Sequence, residues 1–92
     1  MLERGEPLER HFTVRTVTIP EPSGFAPKRI AKLIDSLGIS QAVFARLIGV
    51  SLKLVEAWLA GTREPSRMAR RLLELIEDDP RGFLRRVKKP AA

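Results

Sequence analysis

The chain has 92 residues, with 17 basic and 11 acidic side chains and no cysteine. This length fits one small domain with short arms, and the lack of cysteine excludes disulfide bridges and thiolate metal sites. The net charge of +6 suits a polyanionic partner, either nucleic acid or a membrane surface. Because no apolar run approaches the ~20 residues of a membrane span and no signal-peptide core is seen, a cytoplasmic protein without membrane contact is expected.

The first 26 residues are expected to form a flexible arm. Residues 1–11 are polar and show no periodicity. Phe12–Ile19 is rich in Val and Thr, which favours a β-strand. A single strand is not stable alone, so this segment is expected to pair with a second copy, to pair with another protein, or to stay loose. A linker rich in proline and glycine follows it.

Helical patterns begin at residue 27 and predict an all-α domain of five helices. The first spans Pro27–Leu37, with proline in its first turn and apolar residues on one face. Ser40 and Ser51 are expected to cap the second and third helices. Gly49 and Gly61 follow the ends of those helices, where a positive φ costs glycine little.

Two further helices complete the predicted domain. Ser66 is expected to cap the fourth helix, which runs from Arg67 to about Asp78. The pair Asp79-Pro80 is a cap followed by proline in a first turn, and it starts a short fifth helix. The side chains of this helix expected to face inward are Phe83, Leu84 and Val87.

The positive charge lies mostly at the C-terminal end of the chain. Residues 80–92 contain no acidic side chain and five basic ones, namely Arg81, Arg85, Arg86, Lys88 and Lys89. Residues 27–79 are only mildly basic. The C-terminal basic run predicts either a solvated helix face or an extension of a nucleic-acid footprint.

The second and third helices carry the most specific pattern in the chain, QAVFARLIGVSLKLVEAW from Gln41 to Trp58. Ala45 is small where the two helices are expected to cross. Apolar residues occupy the positions that face inward in two helices packed at a sharp angle. These residues are Phe44, Ile48, Val50, Val55 and Trp58. The pattern predicts a helix-turn-helix that reads DNA.

The segments LGISQAVFARLIGVS, WLAGTREPS and ARRLLELIEDDP closely resemble the phage-repressor-like (Xre/Cro) family. Within that family they are most similar to the HigA-type antitoxins of bacterial type II toxin–antitoxin systems. The resemblance covers roughly residues 12–87. It implies a five-helix phage-repressor-like DNA-binding domain with a short N-terminal strand or arm, acting as a homodimer on a palindromic operator. It also implies a partner toxin of the RNA-cleaving, RelE-like type.

Two positions depart from the family pattern. Family members usually carry Glu at the position of Leu59 and Arg at that of Ile34, and the resemblance implies a buried ion pair there between helix 1 and the recognition helix. In this chain both residues are apolar. Because matched apolar side chains replace a buried ion pair at little or no cost, the double change is expected to preserve the packing.

The third helix, expected at residues 52–60, is the predicted recognition helix, with its N-terminal residues at base edges of the major groove. The positions that match base-facing positions of the family are Ser51, Leu52, Lys53 and Ala57. Lys53 suits guanine O6 and N7, and Leu52 suits a thymine methyl group. Lys53 also fits a solvated or phosphate-bound lysine. Glu56 either pairs with Lys53, accepts from a cytosine N4, or is solvated.

Four flanking residues are candidates for contacts to the DNA backbone. Gln41 begins the second helix and is expected to bond a phosphate, helped by free N–H groups at that helix end. The alternative for Gln41 is an ordinary exposed residue of a first turn. Thr62, Arg63 and Arg67 flank the turn after the recognition helix and are expected to hold the backbone on the other side.

An enzyme is not expected. His11 is the only histidine and has no second histidine, cysteine or aspartate near it in sequence. The chain shows no pattern typical of a catalytic triad, of paired catalytic carboxylates or of a phosphate-binding glycine loop. Neither a metal nor a cofactor is predicted.

The sequence thus predicts an arm at 1–26 with a strand at 12–19, a helix-turn-helix DNA-binding domain at 27–88 and a tail at 89–92. The expected function is a transcriptional repressor that binds operator DNA as a homodimer, and that serves as the antitoxin of a type II pair and represses its own operon. Two alternatives stay open: a stand-alone repressor with no toxin, and a protein-interaction module that does not bind DNA.

Overall fold

A computed structural model of the chain describes residues 16–88, where five α-helices follow an N-terminal segment without regular secondary structure. The helices are α1 (Pro27–Leu37), α2 (Gln41–Ile48), α3 (Leu52–Ala60), α4 (Arg67–Asp78) and α5 (Pro80–Val87). Their bounds confirm the predicted helices and the all-α class. No helix within residues 16–88 has the length and apolar character to cross a membrane. His11 and the tail at 89–92 lie outside the described residues.

Four of the five helices begin at a side chain that caps them. The Oγ atoms of Ser40, Ser51 and Ser66 each accept a hydrogen bond of 3.1 Å from the backbone N–H three residues later. Asp79 accepts from Gly82 N–H in the same way, also at 3.1 Å. These caps satisfy N–H groups that have no acceptor inside the helix. Single side chains therefore fix where the four helices α2 to α5 start.

The turn between α2 and α3 depends on a glycine with positive φ. Gly49 has a φ of 80°, and its N–H donates to the Ala45 carbonyl oxygen at 2.9 Å. Other residues adopt this left-handed conformation only at a cost. Residues 49–51 then separate the two helices, so the short connection predicted from the sequence is confirmed.

The core lies where α1 packs against α3 and α5, α2 packs against α3, and α4 packs against α5. The largest fully buried side chains are those of Ile30, Phe44, Val55, Trp58, Leu73 and Ile76. Each contributes about 1.5–3 kcal/mol to folding through removal of apolar surface from water. Ala45 is 1% exposed, as expected for a small residue where α2 packs against α3.

The strand predicted at Phe12–Ile19 is not seen in its described part. Residues 12–15 lie outside the described range, and residues 16–19 form no strand. Val17 and Ile19 are 71% and 76% exposed. Within residues 16–88 no second strand is available to pair with this segment, and an isolated strand lacks the hydrogen bonds that would stabilise it.

One inward-facing prediction for α5 is wrong. Phe83 and Leu84 are half-buried against the core, but Val87 is 44% exposed. Val87 is the last residue of the helix and lines an open groove between α2 and α5. The side chains on the other side of this groove cover Val87 only in part, which accounts for its exposure.

Candidate nucleic-acid interface

The beginning of α3 presents three consecutive exposed residues, Ser51, Leu52 and Lys53. Leu52 is 38% exposed, whereas Val55 and Trp58 fill the core side of the same helix. Leu52 therefore adds little to the core and is free to contact a ligand. Three of the four residues predicted to face base edges thus lie together on the surface.

Ser51 has two roles open to its hydroxyl group. Its Oγ accepts from Leu54 N–H at 3.1 Å and so caps α3. A serine hydroxyl also carries one proton to donate. Ser51 can therefore cap the helix and donate to an acceptor on a ligand at the same time.

Lys53 and Glu56 lie three residues apart on α3, and both are exposed. Neither forms an ion pair within residues 16–88, where the ion pairs involve other residues. Of the interpretations of Glu56, pairing with Lys53 is therefore not found. Ala57, one helical turn further along from Lys53, is half-buried. A long cation and an apolar side chain, Leu52, thus remain available at the start of the helix.

Gln41 is exposed at the N-terminus of α2. In this first turn the Val43 N–H is bound by the Ser40 hydroxyl, and the Phe44 N–H by the Ser40 carbonyl. The N–H groups of Gln41 and Ala42 have no acceptor within the helix. This helix end therefore offers two backbone donors and a side-chain amide, a suitable arrangement for an anion such as a phosphate.

The three candidate residues after α3 differ in whether other groups of the chain bind their side chains. Thr62 donates through Oγ1 to the Ala57 carbonyl at 3.3 Å, which ties the turn to the helix. Arg63 is exposed. Arg67 pairs with Glu21 at 2.6 Å, and both side chains are 71% exposed. Arg67 is thus held by a carboxylate of the chain itself, and a phosphate that used it would have to displace Glu21.

The C-terminal basic side chains lie on the surface of α5 and at the residue that follows it. The exposed ones are Arg81, Arg85, Arg86 and Lys88. Lys89 lies outside the described residues. The exposure of this run fits both interpretations of it, as a solvated face and as an additional contact to a polyanion.

The two apolar replacements, Ile34 and Leu59, line the same surface depression between α1 and α3. Ile34 is 5% exposed, and Leu59 is half-buried and packs against the core. Gln41 lines this depression as well. The position where the family resemblance implies an ion pair is therefore apolar on both helices here, next to the start of α2.

A second polar assembly, which the sequence analysis did not predict, joins residues 20–25 to α4. We call residues 20–25 the strap. Ser23 donates through its backbone N–H at 2.8 Å and its Oγ at 2.7 Å to one carboxylate oxygen of Glu74. Pro22 is buried, and Phe25 is 5% exposed. The strap was expected to belong to a flexible linker, but it packs against the folded domain.

Two arginines of α4 bind the backbone of the strap. The guanidinium of Arg70 donates to the Pro22 carbonyl oxygen at 3.0 Å. That of Arg71 donates to the Pro20 carbonyl oxygen and, at 2.8 Å, to the second oxygen of Glu74. Arg71 thus joins Glu74 to the strap, whereas Arg70 binds the strap alone.

Arg29 of α1 links the strap to the end of α4. It donates through Nε at 2.9 Å and Nη2 at 2.6 Å to the two oxygens of Glu77. Its Nη1 donates to the Gly24 carbonyl oxygen at 3.0 Å. The guanidinium carbon also lies 4.1 Å from the centre of the Phe25 ring. One side chain therefore connects α1, the strap and α4.

These contacts shift the pKa values of the acidic residues involved. Hydrogen bonds from the Ser23 hydroxyl and backbone N–H, followed by the charge of Arg71, lower the pKa of Glu74. The hydrogen bond from Arg29 lowers the pKa of Glu77, and the same bond raises the pKa of Arg29. The charged forms of these carboxylates are thus favoured by folding.

A sequence signal for the strap does exist in the spacing of α4. The side chains that bind the strap or Arg29 are three residues apart except for one adjacent pair, at Arg67, Arg70, Arg71, Glu74 and Glu77. This spacing puts them on one helix face. In the strap itself, the signal is the apolar Phe25, since a large apolar residue among prolines and glycine indicates a segment that packs against the domain.

No protein-family model matches the chain, and no curated protein matches it.

Proposed function

We propose that the chain is a sequence-specific DNA-binding transcriptional repressor in which α2 and α3 form a helix-turn-helix of the phage-repressor type. The observation that carries this proposal is the exposed start of α3. There Leu52 and Lys53 are exposed and, within residues 16–88, Lys53 makes no ion pair. Gln41 and Arg63 are exposed on either side of α3 in the chain.

In this proposal α3 enters the major groove and reads base edges. Lys53 donates to guanine O6 and N7, and Leu52 contacts a thymine methyl group. Gln41 and the free N–H groups at the start of α2 bind a phosphate. Arg63 neutralises a phosphate on the other side. Ser51 donates its remaining hydroxyl proton, and Ala57 leaves room for the base pair.

Repression follows from occupation of the promoter by a homodimer. Two copies related by a two-fold axis would read two half-sites about one helical turn, ~10 base pairs, apart or at a multiple of that distance. Bound there, the dimer blocks RNA polymerase sterically. Footprinting is expected to show paired half-sites, and a single half-site bound by one copy would contradict the dimer.

The test is DNA binding by the full chain to its own upstream region and to random DNA over a range of salt concentrations. Lys53→Ala is expected to cost ~1–3 kcal/mol on the cognate site alone, because it removes a base contact. Arg63→Ala should weaken binding to both DNAs. It should also reduce the slope of log K against log[salt] by about 0.9, the value for one phosphate contact.

Lys32→Ala is the matched control, since Lys32 is an exposed lysine of α1 outside the proposed interface. It should leave the preference for the cognate site unchanged. Equal losses on both DNAs for Lys53→Ala would remove its base-reading role. Absence of salt-dependent binding to any DNA would favour the interaction module instead.

We further propose that this repressor is the antitoxin of a type II pair and neutralises a RelE-like toxin. Besides the family resemblance, the exposed apolar side chains of Val17 and Ile19 support a protein-binding role for the arm. Deletion of residues 1–19 keeps the strap and tests this role. Loss of protection against a co-expressed neighbouring gene, with DNA binding and dimerisation intact, would place toxin binding in the arm.

Joint loss of dimerisation and operator affinity would instead indicate that the arm pairs with its copy across the dimer axis. A neighbouring gene product that is harmless alone and does not co-purify would leave a stand-alone repressor.

A further inference from the structure

An apolar groove runs between α2 and α5, separate from the start of α3. It encloses about 510 Å³ and is lined by Ile39, Val43, Leu47, Leu84 and Val87, with Arg46 and Lys88 as its charged residues. Val43 and Val87 are 42% and 44% exposed. Exposed apolar side chains that line one groove from two helices are typical of a surface that binds another protein segment.

The charges at this groove select the kind of partner. Both charged lining residues are cationic, and Arg85 and Arg86 lie on the exposed side of the same α5. No acidic residue lines the groove within residues 16–88. A complementary segment therefore carries acidic side chains beside its apolar ones.

A second copy of the chain is a poor match for this groove. In a two-fold interface each surface faces the same surface of the partner. The partner's groove would then also be lined by apolar and cationic side chains, with no lining carboxylate within residues 16–88 to neutralise Arg46 and Lys88. Like charges brought together across an interface oppose association.

The length of the groove matches a short helix. α5 has eight residues, so it is about 12 Å long, or slightly more than two helical turns. A helix that places apolar residues at positions i, i+3 or i+4, and i+7 presents a stripe of that length.

We propose that the groove between α2 and α5 binds an acidic amphipathic helix of another protein. Apolar side chains of that helix pack on Val43, Leu47, Leu84 and Val87, and its carboxylates pair with Arg46 and Lys88. This interaction goes beyond the proposed DNA binding and does not depend on it, because the residues of the groove differ from those proposed to contact DNA.

The experiment uses the full chain and three synthetic peptides of equal length. One carries leucines at helical spacing with glutamates between them, the second has lysines in place of the glutamates, and the third is a scrambled form of the first. Fluorescence anisotropy gives the affinities, and amide chemical shifts in NMR spectra map the site. The acidic peptide is expected to bind at least about tenfold more tightly than the other two, a difference of about 1.4 kcal/mol.

The amide shifts are expected at Val43, Leu47, Leu84 and Val87, and the affinity should fall as salt rises. Absence of binding, equal binding of the acidic and basic peptides, or shifts located on α3 would overturn the proposal.

Two groove variants and one control sharpen the test. Val87→Glu should abolish binding of the acidic peptide. Lys88→Glu should weaken it and improve binding of the basic peptide. Met68→Glu, at a residue of α4 that is 83% exposed, should leave both affinities unchanged. If Val87→Glu instead converts a dimer into a monomer in sedimentation measurements, a second copy occupies the groove and the proposal fails.

Discussion

The strap side of the domain and the start of α3 use polar side chains in opposite ways. Glu74, Glu77 and Arg29 are bound within the chain by directional hydrogen bonds. Lys53 and Glu56 are exposed and form no ion pair anywhere in residues 16–88. The two regions thus differ in whether their charged side chains are bound within the chain or left exposed. Polar groups bound internally hold the domain together, whereas unbound groups at the start of α3 add little to folding and remain available to a ligand.

The largest expected loss of folding stability follows from a substitution in the strap. Phe25→Ala removes a side chain that is 5% exposed, and such truncations cost about 3–5 kcal/mol. Leu52→Ala, at a residue that is 38% exposed, is the matched control and should change stability by about 0.5 kcal/mol or less. Urea denaturation of both variants measures the contrast. Equal destabilisation would show that the two sides do not differ in this way.

A charge placed between α1 and α3 tests the apolar packing of these two helices. Ile34→Arg is expected to destabilise by about 2–4 kcal/mol, because the site is 5% exposed and Leu59 offers no charged partner. Adding Leu59→Glu should restore much of the loss. Thermal melts of the single and double variants provide the measurement. An unchanged melting temperature for Ile34→Arg would mean that the new side chain reaches solvent or pairs with Asp35, which lines the same depression.

Removal of one charge from the strap side should have a smaller effect. Glu77→Gln disrupts the two-point contact with Arg29, but the two side chains are 39% and 38% exposed. Solvent screens such a pair, so the expected cost is about 0.5–1 kcal/mol. Glu56→Gln on α3 is the control, with no measurable loss expected. Denaturation midpoints that fall equally for both would contradict the contrast.

The smallest expected effect is on the pH dependence of stability. Glu74 and Glu77 have lowered pKa values in the folded chain. Their contribution is complete above the ordinary glutamate pKa of about 4.3, and it is lost as the pH falls through the lower folded pKa. Ser23→Ala removes the main cause of the shift at Glu74 and should make this decline shallower.

The measurement is the melting temperature from pH 7 to pH 3. Ser36→Ala is the control, since its hydroxyl donates to the Leu33 carbonyl rather than to a carboxylate. Parallel curves for Ser23→Ala and the native chain would show that the Ser23 hydroxyl does not set the pKa of Glu74.

The sequence predicts the helices well because their start and stop signals are local. Ser40, Ser51 and Ser66 act on N–H groups three residues away, and Gly49 and Gly61 end α2 and α3 with a positive φ. The packing of Val87 was not predictable in this way, since helical periodicity does not show where the neighbouring helices stop.

The start of α3 and the strap also differ in how far the sequence predicts them. The exposure of residues 51–53 agrees with the positions taken from the family resemblance, although exposure alone does not determine what they bind. The strap was missed because its partners are far away in the chain. Ser23 binds Glu74 across 51 positions, and Arg70 binds Pro22 across 48. Proline and glycine in a segment are typical of a linker, and the spacing on α4 shows that one helix face is polar without identifying the strap as its partner.

The strap also sets an order for folding. It is synthesised before all five helices, yet its partners on α4 follow 46 to 51 positions later. Because loop closure over this length costs entropy before any contact is gained, the local helices are expected to form first and the strap to dock last. A contact absent from the transition state acts on the unfolding rate. The contacts of the strap are therefore expected to slow unfolding and to leave the folding rate almost unchanged.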